Sequence, residues 1–371
     1  MEYVELGNVA TYINGYAFKP EQRGKIGLPI IRIQDLNDNS YDLGFFEGSY
    51  PEQIEINTGD ILISWSGSLG VYKWSKGKAL LNQHIFKVVF NKINIDKEFF
   101  CYAVKNSLSV MSQQTHGATM KHITKKDFDK VLIPYPSLNT QRKIAQKLNI
   151  VTELIVFYET ELSLMEQLIK ARFIEMFGDP IINPYGFPVK KIDEVAVLNK
   201  GITYSPDDIS KAGIIVLRSG NIKGNAFDLE DIVRISKKIS NDKLVNENDI
   251  LMCNRNGSVN LVGKVAKIPK LEEKMTFGTF MTIVRSEIFE YLFVFFQMNA
   301  FREQIKFQTA VAINQISLPL LASVKVPIPT NELIKEFADF VRQVDKSREE
   351  VKKSLEKTQQ LYDSLMQEYF G

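Results

Sequence analysis

The sequence predicts an α+β protein in which two tandem, pseudo-symmetric, mixed β-rich domains are separated by two long helices forming an antiparallel coiled coil. Three observations carry that expectation. The chain is written twice, each copy opens with short β-rich runs broken by Gly, Asn, Pro and Ser, and each copy closes on a long amphipathic stripe. The partition that follows is 1–138 for the first domain, 139–178 for the first helix, 179–188 for a linker, 189–330 for the second domain and 331–371 for the second helix.

The duplication is read directly from matched residues. Val9-Ala10, Gly15 and Pro20 recur 186 positions later as Val195-Ala196, Gly201 and Pro206. At the same offset Gly27, Ile30-Ile31-Arg32 and Asn39 return as Gly213, Val216-Leu217-Arg218 and Asn225. Asp60-Ile61-Leu62 and Gly67-Ser68 match Asp249-Ile250-Leu251 and Gly257-Ser258 at offsets of 189 and 190, the drift that loop insertions produce. From Ile123 onward the offset is 193, pairing Ile123 with Ile316, Pro134-x-Pro136 with Pro327-x-Pro329, and Phe177-Gly178 with Phe370-Gly371. Solenoid repeats run about 20 to 50 residues, so a period of this size is one duplicated domain and not an array.

Within copy one, strands are expected at Leu28 to Ile33, Asp60 to Ser64, His84 to Phe90 and Val131 to Ile133, with a short helix at Lys97 to Asn106. Copy two repeats the punctuation at Ile214 to Leu217, Asp249 to Met252, Phe280 to Val284 and Val324 to Val326, with a helix at Phe289 to Asn299. After each Pro-x-Pro stop the period changes. Ile144, Leu148, Val151, Ile155, Tyr158, Leu162, Met165 and Ile169 alternate steps of four and three, which is a heptad seam. The second seam runs Phe337, Val341, Val344, Val351, Leu355, Tyr362 and Leu365, interrupted by the polar Arg348 and Thr358.

Composition bounds the function. The 371 residues suffice for two to three domains with their own cores. With 46 basic against 44 acidic side chains, a nucleic-acid surface requires local clustering. Cys101 and Cys253 are far apart and outside any C-x-x-C spacing, which argues against a disulfide scaffold or a Cys-rich zinc site. Met1-Glu2-Tyr3-Val4-Glu5 lacks the features of a signal peptide, and no segment approaches about 20 uninterrupted apolar residues. A cytoplasmic chain with no membrane insertion is expected.

The order domain, helix, domain, helix has a geometric consequence. A helix of about 35 residues at about 1.5 Å per residue spans roughly 50 Å. If the second helix returns antiparallel along the first, the chain is an internal pseudo-dimer suited to a split target on DNA, whose backbone shares that symmetry.

At this point the chain resembles the specificity subunit of type I restriction-modification enzymes, over essentially its whole length. The carriers are Val4-x-Leu6-x-x-Val9 and Val189-x-x-Ile192-x-x-Val195 at the domain starts, the Asp60-Ile61-Leu62 and Asp249-Ile250-Leu251 strands before Gly-Ser loops, the Pro-x-Pro exits, the two long helices, and the linker Met176-Phe177-Gly178-Asp179-Pro180. Where the family often has a Glu-Gln pair at each helix start, this chain has Thr140-Gln141 and Leu333-Ile334. The resemblance implies a non-catalytic subunit. Each β domain would be a target recognition domain reading one half of a bipartite, asymmetric site in double-stranded DNA. The helices would set the spacer and dock two methyltransferase subunits, and restriction subunits would join that core. S-adenosylmethionine is then expected on the methyltransferase subunit, and ATP and Mg on the restriction subunit, with no cofactor on this chain.

Base readers need directed hydrogen bonds, supported by Lys and Arg on phosphates. In copy one the candidates are Ser66 and Ser68 of the loop Trp65-Ser66-Gly67-Ser68, with Lys73, Lys76 and Lys78 beyond it for charge. In copy two they are Asn254, Arg255 and Asn256, where Arg suits guanine and Asn suits adenine. Gln34-Asp35 against Gly220-Asn221, after the matched Arg32 and Arg218, adds Asn221 and a second difference between the copies. Lys121 and His122, opposite Asn314 and Gln315, form another polar stretch. These residues also fit ordinary solvated loops, and Arg32 and Arg218 fit structural ion pairs as well as contacts. Differing loops predict half-sites of different sequence.

An enzyme reading lacks a site. There is no G-x-x-x-x-G-K-[ST] loop and no glycine-rich loop for S-adenosylmethionine, and only His84, His116 and His122 are available for a triad or metal site. Asn183-Pro184-Tyr185 lacks the second proline of an adenine-methyltransferase element and reads as a linker turn. A coiled-coil scaffold that binds only proteins is the alternative to DNA readout.

Overall fold

The computed structural model describes residues 2–36, 43–114, 124–305 and 315–371. It divides into two compact units, Met1–Glu159 with Lys353–Gly371, and Thr160–Lys352. The long helices, Leu138–Phe177 and Asn331–Phe370, are each continuous and contribute to both units. The two domains have fused their cores to these helices, so the units cut across the helices where the sequence places domain boundaries ahead of them.

In the first unit the strands are β1 (Tyr3–Glu5), β2 (Thr11–Asn14), β3 (Leu28–Ile31), β4 (Gly44–Phe46), β5 (Glu55–Ile56), β6 (Ile61–Ser64), β7 (Gly70–Lys73), β8 (Ala79–Leu81), β9 (Ile85–Val89) and β10 (Leu132–Pro134). They build an antiparallel sheet of order β2-β9-β6-β7, a mixed sheet of order β4-β3-β8-β5, and the pair β1-β10. Ile61, Ile63, Phe86 and Val88 bury one face of the first sheet against Phe99, Phe100 and Val104 of the helix Lys97–Gln114. That helix runs past the expected end at Asn106 to Gln114, with Leu108 and Met111 continuing its apolar face on the same core, and Tyr102 bonds Asn149 of the first long helix at 2.8 Å.

The second unit repeats the plan with β11 (Val189–Lys191), β12 (Val197–Lys200), β13 (Ile209–Leu217), β14 (Ile222–Lys223), β15 (Ala226–Phe227), β16 (Arg234–Ile235), β17 (Ile250–Cys253), β18 (Val265–Lys267), β19 (Met275–Phe277), β20 (Met281–Arg285) and β21 (Lys325–Pro327). Sheet order β12-β20-β17-β18 reproduces β2-β9-β6-β7, and the parallel pair β13-β19 reproduces β3-β8. The expected helix at 289–299 is two helices, Phe289–Phe295 and Asn299–Ile305.

The heptad seams are cores in both units. Ile144, Leu148 and Val151 pack with Tyr362 and Met366 in the first unit. In the second, Phe173 lies 5.5 Å from Phe337 and 4.9 Å from Tyr291, ring centroid to centroid. Arg172 pairs with Glu336 at 2.9 Å and Glu166 with Arg348 at 2.5 Å, so the segments run antiparallel there. The polar break at Arg348 is thus filled by an ion pair across the seam. Gln141, at the start of the first long helix, is buried, with its Nε2 donating to the Pro136 carbonyl at 2.8 Å and its Oε1 accepting from the Asp96 N–H at 2.9 Å. In the linker, the side chain of Asn183 closes a turn on both backbone groups of Phe187, at 2.8 and 3.0 Å. Among the described residues no helix is long and apolar enough to cross a membrane, and no group of His, Cys, Asp and Glu is placed to hold a metal ion.

Candidate nucleic-acid interface

Strand direction collects the candidate loops at one edge of each unit. β2 pairs β9 with Asn14 opposite Phe86, β6 pairs β9 with Ser64 opposite Ile85, and β6 pairs β7 with Ser64 opposite Gly70. The end of β2, the start of β9 and the loop 65–69 therefore share one rim. The turn 82–84 arrives there from β8 and joins the two sheets. In the second unit the matching rim holds the end of β12, the turn 278–280 and the loop 254–258.

A repeated glycine fixes that turn. Gly15 and Gly201 press against it so closely that a Cβ on Gly15 would lie 2.0 Å from the Asn82 carbonyl oxygen, and one on Gly201 2.0 Å from the Gly278 carbonyl oxygen. The same hydrogen bonds surround both. Tyr16 N–H donates to Leu81 O at 2.9 Å and Ile202 N–H to Phe277 O at 2.9 Å, while Asn82 N–H donates to Ile31 O at 3.0 Å and Gly278 N–H to Leu217 O at 2.9 Å. The match of Gly15 with Gly201 in the sequence was the available signal, but the residues it clamps could be found only once strand pairing was known.

The chemistry on the rims differs. In the first unit the Trp65 ring stacks on Phe86 at 5.5 Å, meets His84 edge-on at 5.0 Å, and donates through Nε1 to Asn14 Oδ1 at 3.2 Å. Ser66 is half-buried beside it and Ser68 exposed, with Ser64 Oγ donating to the Ser68 carbonyl at 2.5 Å. In the second unit the Arg255 guanidinium lies 5.0 Å over the exposed Phe280 ring and its backbone bridges Gln315. Asn256 Nδ2 donates to Ser219 Oγ at 3.0 Å, joining this loop to the end of β13. Asn254 is 7% exposed, with its side-chain oxygen unpartnered among the described residues. Burial pushes the neighbouring Cys253 thiol up to about 11 and the Cys101 thiol up to about 12.

Two expected groupings are corrected. Lys73 and Lys76 do not flank the Ser66–Ser68 loop, because β7 carries the chain away from it: Lys73 pairs opposite Ile61 at the far end of the sheet and bonds Glu98 at 2.6 Å. Lys76 follows Lys73 into the next turn, and Lys78 bonds Glu55 at 2.9 Å. Asn221 is buried and committed internally, accepting from Arg218 N–H at 2.8 Å and donating to the carbonyls of Asp228 and Asp231 at 2.9 and 3.0 Å. Asp35 plays the same part in the first unit, accepting from Arg32 N–H at 2.8 Å and from its Nε at 3.0 Å, and Arg218 reaches Asp231 at 2.7 Å. Arg32 and Arg218 are therefore held in structural ion pairs. Lys121, His122 and Asn314 lie outside the described residues.

Comparisons with known proteins agree with this duplicated plan. Residues 1–166 and 184–360 match the family described as type I restriction modification DNA specificity domain. The chain is 23% identical to the EcoBI specificity subunit of a type I restriction enzyme from Escherichia coli, over 99% of this chain and 85% of that one. It is 21% identical to the MjaVIII specificity subunit of Methanocaldococcus jannaschii, over 97% and 91%. Among solved structures, the S subunit of a type I restriction-modification system from M. genitalium superposes with a TM-score of 0.56 at 16% identity, covering 100% of this chain and 96% of that one.

Proposed function

The chain belongs to the type I restriction modification DNA specificity family, and from that premise we propose that each unit reads one half of a bipartite, asymmetric DNA site. It is the DNA specificity subunit of a restriction-modification complex and not its catalyst. The observation that carries the finer reading is one rim built twice with different side chains. Trp65, Ser66 and His84 stand where Asn254, Arg255 and Phe280 stand in the other copy, while the Gly-Ser pair that follows in each loop is shared. A shared scaffold with divergent hydrogen-bonding groups is what two unlike half-sites require.

The long helices are the docking elements in this reading. Ile150, Leu154 and Phe157 in the first unit, and Leu164 and Leu168 in the second, leave an apolar stripe exposed on the first long helix, suited to partner helices. Two methyltransferase subunits would bind, matching the two units, and would hold S-adenosylmethionine. Restriction subunits would carry ATP and Mg. The complex would work in the cytoplasm, and two free thiols, Cys101 half-buried and Cys253 buried, suit that compartment.

Co-expression with the cognate methyltransferase subunit, followed by mapping of adenine methylation across the genome, tests this. A split, asymmetric motif that vanishes when this chain is withheld is the expected result. Methylation unchanged by its removal would favour a protein-only scaffold.

A further inference from the structure

We infer that the clamped turns themselves, Gln83 between β8 and β9 and Thr279-Phe280 between β19 and β20, are base-reading elements that each set a position of one half-site. This rests on the reading that each unit contacts a half-site.

Three features separate these residues from their surroundings. First, several neighbouring polar side chains on the rims are spent on the fold, Asn14 on Trp65, Ser64 on the Ser68 carbonyl and Asn256 on Ser219, and Asn254 is buried. The side chains of Gln83 and Thr279, both half-buried, make no hydrogen bond within the described residues. Second, Phe280 is 51% exposed although it directly precedes β20, whose residues 281–284 are buried, and Arg255 lies on its face without a carboxylate partner among the described residues. Stacking orients the guanidinium while leaving its edge donors open. Third, the backbone beneath is clamped by matching hydrogen bonds beside Gly15 and Gly201 in both units, while the turn residues change from Asn82-Gln83-His84, with His84 at a φ of 72°, to Gly278-Thr279-Phe280. Hydrogen-bond readout requires groups positioned to a fraction of an ångström, which the clamp supplies.

The chemistry then follows from the side chains. A glutamine amide can donate to and accept from one base edge, and adenine N7 and N6 are its match in the major groove. A threonine methyl and a phenyl ring offer apolar contact to the thymine methyl, and the arginine beside them matches guanine O6 and N7.

The test uses the complex assembled with its methyltransferase subunits. Methylation rates are measured on duplexes carrying each base at each position of the mapped site. Gln83→Ala should lower discrimination about 10-fold or more at one position of one half-site, and Thr279→Ala or Phe280→Leu should do so in the other half. Gln83→Glu, which keeps the shape but removes the donor, should turn preference at that position away from adenine, and it stands in if the alanine variant fails to assemble. Variants that assemble and keep wild-type preference at every position overturn the inference, as does a uniform loss of rate with unchanged preference. If the wild-type complex deposits no split motif, the underlying reading fails instead.

Discussion

Replacing Gly201 by alanine tests the clamp with little else disturbed. Its backbone is not in the left-handed region, so alanine brings no dihedral strain, and the whole effect comes from the Cβ placed 2.0 Å from the Gly278 carbonyl oxygen. Ordinary contact begins near 3.4 Å, so strand end and turn must separate by about 1.4 Å, and both neighbours are backbone with no rotamer to change. Overpacking of this kind costs about 1–3 kcal/mol. With an m-value of about 2 kcal/mol/M in urea, the unfolding midpoint falls by about 0.5–1.5 M. Gly257→Ala, on the same rim with open space around its Cβ, should stay within about 0.5 kcal/mol of wild type. Because the shift moves Thr279 and Phe280, base discrimination in one half-site should weaken too. A Gly201→Ala chain that unfolds at the wild-type midpoint, and methylates with unchanged preference, would refute the clamp. Gly15→Ala repeats the experiment in the first unit, where the Asn82 oxygen is equally close.

Other variants separate structural from reading roles. Asn221→Ala leaves the Arg218 N–H and two carbonyls without their partner and should cost about 1–3 kcal/mol without altering the methylated motif; an altered motif would return this residue to the reading surface. Phe173→Ala empties the centre of the aromatic cluster with Phe177, Tyr291 and Phe337, for a loss of about 3–5 kcal/mol in chemical denaturation. Cys253 should resist iodoacetamide at pH 7.5: with its pKa raised to about 11, well under a thousandth is thiolate, against about a tenth for an unperturbed thiol, and alkylation at the rate of a free thiol would contradict its burial. Seven residues inserted into both long helices, after Glu159 and after Lys352, add about 10 Å of helix, so mapped half-sites should keep their sequences while the spacer grows by about three base pairs; altered half-sites would contradict the division of labour.

The duplication and the helices were legible because both are periodic signals. Matched glycines, Asp-Ile-Leu strands and Pro-x-Pro exits fixed the two copies, and the expected strands fall within about two residues of their places except β13, which starts earlier, at Ile209; the remaining short strands gave no signal in the sequence. The seams at Ile144 to Ile169 and Phe337 to Leu365 were equally plain. Tertiary contacts were not. The helix at Lys97 outran its local pattern because Leu108 and Met111 extend its contact with the first unit's core, and the boundary between units falls within the long helices because their apolar faces belong to both cores. At the site, proximity in sequence misled for Lys73, since a strand of four residues carries it to the opposite end of the sheet. Residue type misled for Asn221, whose amide matches the backbone as well as it matches adenine. The turns at Gln83 and Thr279 carry no motif and reach the rim through the pairing of β3 with β8 and of β13 with β19.

The most direct test of one half-site per unit is a comparison of genome methylation maps from complexes carrying single-unit rim variants, Ser66→Ala with Ser68→Ala in one chain and Arg255→Ala in another. The account predicts that the first alters or relaxes one half of the split motif and the second only the other half. A change confined to one unit that rewrites both halves, or two variants that affect the same half, would contradict it.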